Sequence, residues 1–148
     1  MKKTIIYFMV GLIACTNPVD NLEIGEPFDQ SEAILDQWVL VRVHHIDELD
    51  LNKPFTDLTS LFTATASEIE FTSSSFTYTH GSGPDFLESD GTWQFDDENY
   101  PEYLSLNQTT QLQIGQPIRT YNDTLVLKLE RKCEEKTVSS YEYLFTRK

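Results

Sequence analysis

Positive charge is scarce in this chain. Eleven Lys and Arg stand against 24 Asp and Glu over 148 residues, a net charge of −13. Phosphate neutralisation needs clustered basic residues, so a nucleic-acid partner is excluded, and so is direct adhesion to anionic headgroups. Cysteine is nearly absent too: Cys15 and Cys133 are the two. Two such residues do not make a disulfide-stapled scaffold. No apolar run approaches the roughly 20 residues that a membrane-crossing helix requires. Gly-x-Ser-x-Gly is missing, and no His–Asp pair has the spacing of a hydrolase, so the serines around Ser73-Ser74-Ser75 are not read as nucleophiles. No enzyme activity and no cofactor are expected. There is no internal repeat at fixed period.

What the chain does have begins at its first residue. Met1-Lys2-Lys3 is a short positive patch, and Ile5 to Ala14 is an apolar run of ten residues. That length suits the h-region of a secretory signal. Leu12-Ile13-Ala14-Cys15 resembles the lipobox of bacterial lipoproteins. The resemblance implies cleavage before Cys15, diacylglyceryl transfer to its thiol and acylation of the new N-terminus. Several acyl chains on one residue anchor a protein to a bilayer far more firmly than one chain does. Residues 1–14 are therefore read as a signal peptide. Loss of Lys2 and Lys3 leaves nine basic residues against 24 acidic ones, a net charge near −15. With Cys15 lipidated, Cys133 has no partner. Two acids, Glu134 and Glu135, beside it point to an inert thiol in a polar loop. The expected location is the cell envelope, lipid-anchored, most simply at the outer membrane.

Residues 15–30 carry Pro18, Asp20, Glu23, Gly25, Glu26 and Pro27, the composition of a flexible tether. Residues 31–148 form one domain. Ser31 to Leu35 fits a helical turn. Beyond it, period-two alternation dominates. Trp38 and Leu40 share one face, as do Ile69 and Phe71, Phe76 and Tyr78, Trp93 and Phe95, Leu104 and Leu106, and Leu112 and Ile114. Leu125, Leu127 and Leu129 follow, then Tyr141, Tyr143 and Phe145. Turn signals separate the runs: Ser73-Ser74, Gly81-Ser82-Gly83-Pro84, Asp96 to Asn99, Asn107-Gln108 and Asn122-Asp123. About eight short strands with close turns predict an all-β, antiparallel up-and-down barrel. The long stretch from His44 to Ser67 predicts one short helix, with Leu58, Leu61 and Phe62 on its apolar face and Thr56 or Asp57 as cap.

The series "ILDQWVL", "IEFTSSSFTYT", "SDGTWQF", "EYLSLN", "DTLVLKLE" and "YEYLFTRK" is similar to the lipocalin-like domain lipoproteins of Gram-negative bacteria. It runs from about Ile34 to Lys148. Asp36 stands where that family's first-strand glycine falls. The resemblance implies a small up-and-down barrel and fixes no ligand.

Two constellations carry metal-ligating types. "HHIDELD", His44 to Asp50, places adjacent imidazoles on opposite strand faces and is read as a polar strand end. "DDEN", Asp96 to Asn99, lacks the glycine and distant acid of a calcium loop and is read as a turn closed by Asn99. No metal is expected. The inward aromatics remain. Trp38, Leu40, Phe71, Tyr78, Trp93, Phe95 and Tyr143 are the candidate lining of a cavity for a small hydrophobic ligand. The alternative is a filled barrel that docks on an envelope protein through its surface. Either is expected to be monomeric.

Overall fold

A computed structural model describes residues 30–50, 52, 55–62, 66–82 and 90–148. The signal peptide, Cys15, the tether up to Asp29 and the Gly83-Pro84 part of one turn lie outside the described residues. Within them the chain folds as helix α1 (Gln30–Ile34), strand β1 (Gln37–Asp47), a two-residue β2 (Thr56–Asp57) and helix α2 (Thr59–Phe62). Seven further strands follow: β3 (Glu68–Phe71), β4 (Ser75–Thr79), β5 (Gly91–Phe95), β6 (Tyr103–Leu106), β7 (Thr110–Ile114), β8 (Thr124–Cys133) and β9 (Lys136–Arg147). Every strand pairing is antiparallel, and each of β3 to β8 pairs with the next. The long β1 closes the sheet by pairing with β3 on one edge and β9 on the other. The result is a closed eight-strand up-and-down barrel, the architecture that the alternation predicts. Closure removes the edges of the eight barrel strands' sheet, and the short β2 lies outside that closure.

β2 is the addition that the alternation did not disclose. Only two residues long, it pairs His44 and His45 of β1 with Asp57 and Thr56. The chain then turns into α2, where the Asp57 carboxylate accepts the Thr59 amide at 2.8 Å. Asp57, not Thr56, is thus the residue that starts the helix, and the Thr59 hydroxyl, followed by this amide, holds its carboxyl below the usual range. Leu58 and Phe62 pack on the core, but Leu61 is 68% exposed, so the helix buries less of its expected face. Four residues make barely one turn, too short to present three apolar positions to one surface.

Parity along β1 also shifts. Trp38 and Leu40 point inward, a bulge falls between Leu40 and Arg42, and Val43 resumes the inward set. An extra residue in a bulge moves the following side chains to the other face, which is why Arg42 stands in solvent. Fully buried Ile69, Phe76, Leu104, Leu106, Leu112, Leu125, Leu127 and Phe145 continue the core around the barrel.

The two ends differ. At the α1 end lie the β3–β4 turn, the β5–β6 turn and the β7–β8 loop. Ile118 of that loop is buried, as are Ala33 and Ile34 of α1, so loop and helix together seal this end. The opposite end carries β2, α2, the Asn107-Gln108 turn and the β8–β9 hairpin with exposed Cys133.

Candidate functional site

The seven residues expected to line one cavity fall into three groups. Trp38 belongs to the sealed end. Its ring is fully buried and its indole N–H donates to the Ile34 carbonyl at 2.8 Å. Arg147, its cross-strand partner on β9, lays its guanidinium 4.6 Å from the ring centroid. That guanidinium also donates to the Asp36 carboxylate at 2.9 Å and to the Ala33 carbonyl at 3.0 Å. Asp36 is therefore half of an ion pair that ties α1 and the start of β1 to the last strand. Leu40, nearly buried, packs in the same core.

Phe71, Trp93 and Phe95 form the second group. Their rings meet edge to face, with centroids 5.8 Å apart for Phe71 and Trp93 and 5.2 Å apart for Trp93 and Phe95. This geometry suits the ring quadrupoles. Trp93 was expected to be buried like Trp38, and it is only partly so. The reason lies in the short contact between β4 and β5, which pair only through Ser75–Thr92 and Phe76–Gly91. Trp93 sits just beyond the start of β4, so its ring covers the β3–β4 turn and donates to the Thr72 carbonyl at 2.8 Å.

Tyr78 and Tyr143 make the third group, toward the far end. Burial first, then the neighbouring Tyr141 and Tyr78, push the Tyr143 phenol well above its ordinary value, while Arg131 opposes them. Arg131 lies 5.2 Å from the Tyr141 ring centroid, and His45 stacks obliquely on that ring at 5.0 Å. Large side chains of all three groups thus contribute to the core.

Two clefts lie on the outside of the barrel. At the α1 end a cleft of about 430 Å³ is lined by Gln30, Asn99, Tyr100, Pro117, Arg119 and Tyr121. A second, of about 470 Å³, shares Gln30, Tyr100 and Pro117 and continues to Gln113 and Gln116. Together they make one furrow between the β5–β6 turn and the β7–β8 loop. Its floor is pinned by Gln30, whose side-chain amide donates to the Asn99 carbonyl at 3.0 Å and accepts the Ile118 amide at 3.0 Å. One residue of α1 thereby bridges both walls.

The walls are fixed as well. The β5–β6 turn was expected to be closed by Asn99, and the structure assigns that role to Asp96 and Asp97. The Asp96 carboxylate accepts the amides of Asp97, Glu102 and Tyr103, and Asp97 accepts those of Asn99 and Tyr100. A charged carboxylate oxygen accepts amide hydrogen bonds more strongly than a neutral side-chain amide does. Those amides hold the Asp97 carboxyl below its usual range, the Tyr100 contact most of all. In the facing loop, Asn122 bonds the Arg119 and Pro117 carbonyls, and Arg119 both bonds the Tyr121 hydroxyl and lies over its ring. Tyr100 and Tyr121 rise from these walls, 73% and 70% exposed. Rigid, exposed tyrosines over a preformed groove are typical of contact surfaces. Periodicity analysis missed them, because both sit in turns, and only the turn-bound aromatics of "NYPE" and "RTYND" hinted at them.

The histidines lie apart from this furrow. His44 stacks on Phe55 at 4.2 Å and faces Glu142 at 3.4 Å, while His45 points to the opposite face. Among the described residues, no group of three or more His, Cys, Asp or Glu side chains is placed to hold a metal ion. Comparison with protein-family models and with curated proteins found no match.

Proposed function

We propose that this chain is a non-catalytic, lipid-anchored envelope protein whose lipocalin-like barrel serves as a docking module, with the furrow at the α1 end as its contact surface. The observation that carries this reading is the preformed external furrow flanked by the exposed rings of Tyr100 and Tyr121, set beside a core of fully buried large side chains. The leader supports the anchor at Cys15. The closed barrel, the first-strand tryptophan and the terminal aromatic–basic strand support the family likeness. The tether joins the barrel at Gln30, in the floor of the furrow, so the docking surface lies at the membrane-tethered end.

A photo-crosslinking residue placed at Tyr121 in cells should give a discrete protein adduct. The same residue at Thr109, on the opposite end, should not. Equal labelling from both sites would reject the docking surface. Cys15→Ser should release the protein from membranes, and quantitative partition of that variant with the bilayer would remove the anchor from the reading.

A second reading rests on the far end, where Tyr78, Tyr141, Tyr143, His45 and Arg131 gather aromatic surface and a cation. That combination suits a small hydrophobic ligand with a polar head. Saturable quenching of tryptophan fluorescence by a fatty acid, at submillimolar affinity, would favour it over docking. The fully buried Trp38, Phe76 and Phe145 rings lead us to expect none.

A further inference from the structure

The furrow's surroundings point to the chemistry of its occupant, an inference that rests on the docking reading. The three segments that build it are α1, the β5–β6 turn at 96–102 and the β7–β8 loop at 115–123. They carry six carboxylates: Glu32, Asp96, Asp97, Glu98, Glu102 and Asp123. All six residues are exposed. Against them stands one guanidinium, Arg119, already engaged with the hydroxyl and the ring of Tyr121. The furrow is thus an aromatic groove built by strongly acidic segments, Glu102 in its lining, and Arg119, the one cation those segments carry, is occupied.

We propose that the furrow takes an extended, basic segment of a partner protein, with arginine side chains stacking on Tyr100 and Tyr121. Guanidinium groups are drawn to the faces of tyrosine rings, and surrounding carboxylates strengthen the attraction at moderate salt. Gln113 and Asn99 are among the lining residues, and amide side chains of this kind can bond an extended backbone. Because Gln30, Asp96, Asp97 and Asn122 already hold the walls, little ordering of the barrel opposes binding. An acidic or phosphorylated segment would meet repulsion along both walls, and so would an anionic lipid surface.

The test uses the folded mature chain carrying Cys15→Ser and three fluorescein-labelled extended peptides: alternating Arg-Ser, alternating Glu-Ser and a neutral Pro-rich sequence. Fluorescence anisotropy should show saturable binding of the Arg-Ser peptide alone. Tyr100→Ser combined with Tyr121→Ser should weaken it about tenfold or more, the scale of paired contact residues at an interface centre. Glu98→Gln combined with Asp123→Asn should weaken it too and flatten its salt dependence. Glu134→Gln with Glu135→Gln, at the other end, removes the same charge and should leave it unchanged. Equal loss from that control pair, or no loss from the tyrosine pair, would reduce the binding to general charge attraction and overturn the proposal. Tighter, tyrosine-dependent binding of the neutral or acidic peptide would overturn the basic occupant while leaving the docking reading in place. No tyrosine-dependent binding of any peptide would overturn both.

Discussion

Replacing Trp38 with alanine should be the most damaging single change in the barrel. The ring is fully buried between α1 and Arg147. An aromatic side chain of this size hides about 150–250 Å² from water. At about 25 cal/mol per Å², that is roughly 4–6 kcal/mol of transfer free energy. Measured truncations of buried Phe and Trp cost about 3–5 kcal/mol, and the Ile34 carbonyl would also lose its indole donor. Set against a domain stability of about 5–15 kcal/mol, the loss is a large share. Urea titration followed by far-UV circular dichroism avoids any reliance on the deleted fluorophore. Trp38→Leu and Arg147→Met, with the double variant, then isolate the ring–guanidinium contact. A desolvated cation–π pair is worth about 2 kcal/mol, so the two changes should couple well beyond the roughly 0.3–0.5 kcal/mol scatter of independent sites. A Trp38→Ala cost below about 1 kcal/mol, or additive behaviour in the cycle, would refute the view that this contact locks the sealed end.

Three further outcomes are expected. Gly91→Ala should destabilise the barrel, because a Cβ there would overlap the Asn107 side-chain oxygen that accepts the Thr92 amide; Asn107→Ala combined with Gly91→Ala should recover part of the loss in thermal melts. Gln108 holds a left-handed φ of 58° beside Asn107 at 51°, a turn that favours Asn-Gly, so Gln108→Gly should stabilise by up to about 1 kcal/mol in the same melts. Tyr143 has a raised folded-state pKa, so its contribution is intact below the ordinary phenol value near 10 and is lost as pH climbs beyond it; alkaline titration at the phenolate band should show it ionising together with unfolding, not before.

Strand content was legible because each strand presents one face to the core. Leu125 and Leu127, or Leu104 and Leu106, must alternate with tolerant positions, and that alternation survives in a single sequence. Three features escaped for physical reasons. β2 is too short for any period to register. The bulge near Arg42 depends on how β1 meets β9, not on β1 alone. The partial exposure of Trp93 follows from how little β4 and β5 overlap, a register that no local pattern encodes. The seven inward residues were chosen by parity, which assigns a face and says nothing about height along the barrel. That is why one expected lining resolves into a sealed end, an aromatic wall and a tyrosine-rich far end.

The furrow was the least legible part, and its construction explains why. Its contact residues sit on turns, where side chains answer to no period. Its rigidity comes from partners far apart in sequence, such as Gln30 and Ile118, separated by 88 positions. Its residues divide into two sets. Gln30, Asp96, Asp97 and Asn122 spend their polar groups on backbone atoms of the walls. Tyr100 and Tyr121 leave most of their rings in water. Substituting the first set would loosen the barrel's end, whereas substituting the second would cost the fold little. A surface built this way can change its specificity through two aromatic positions and the carboxylates around them while the sealed core beneath stays as it is.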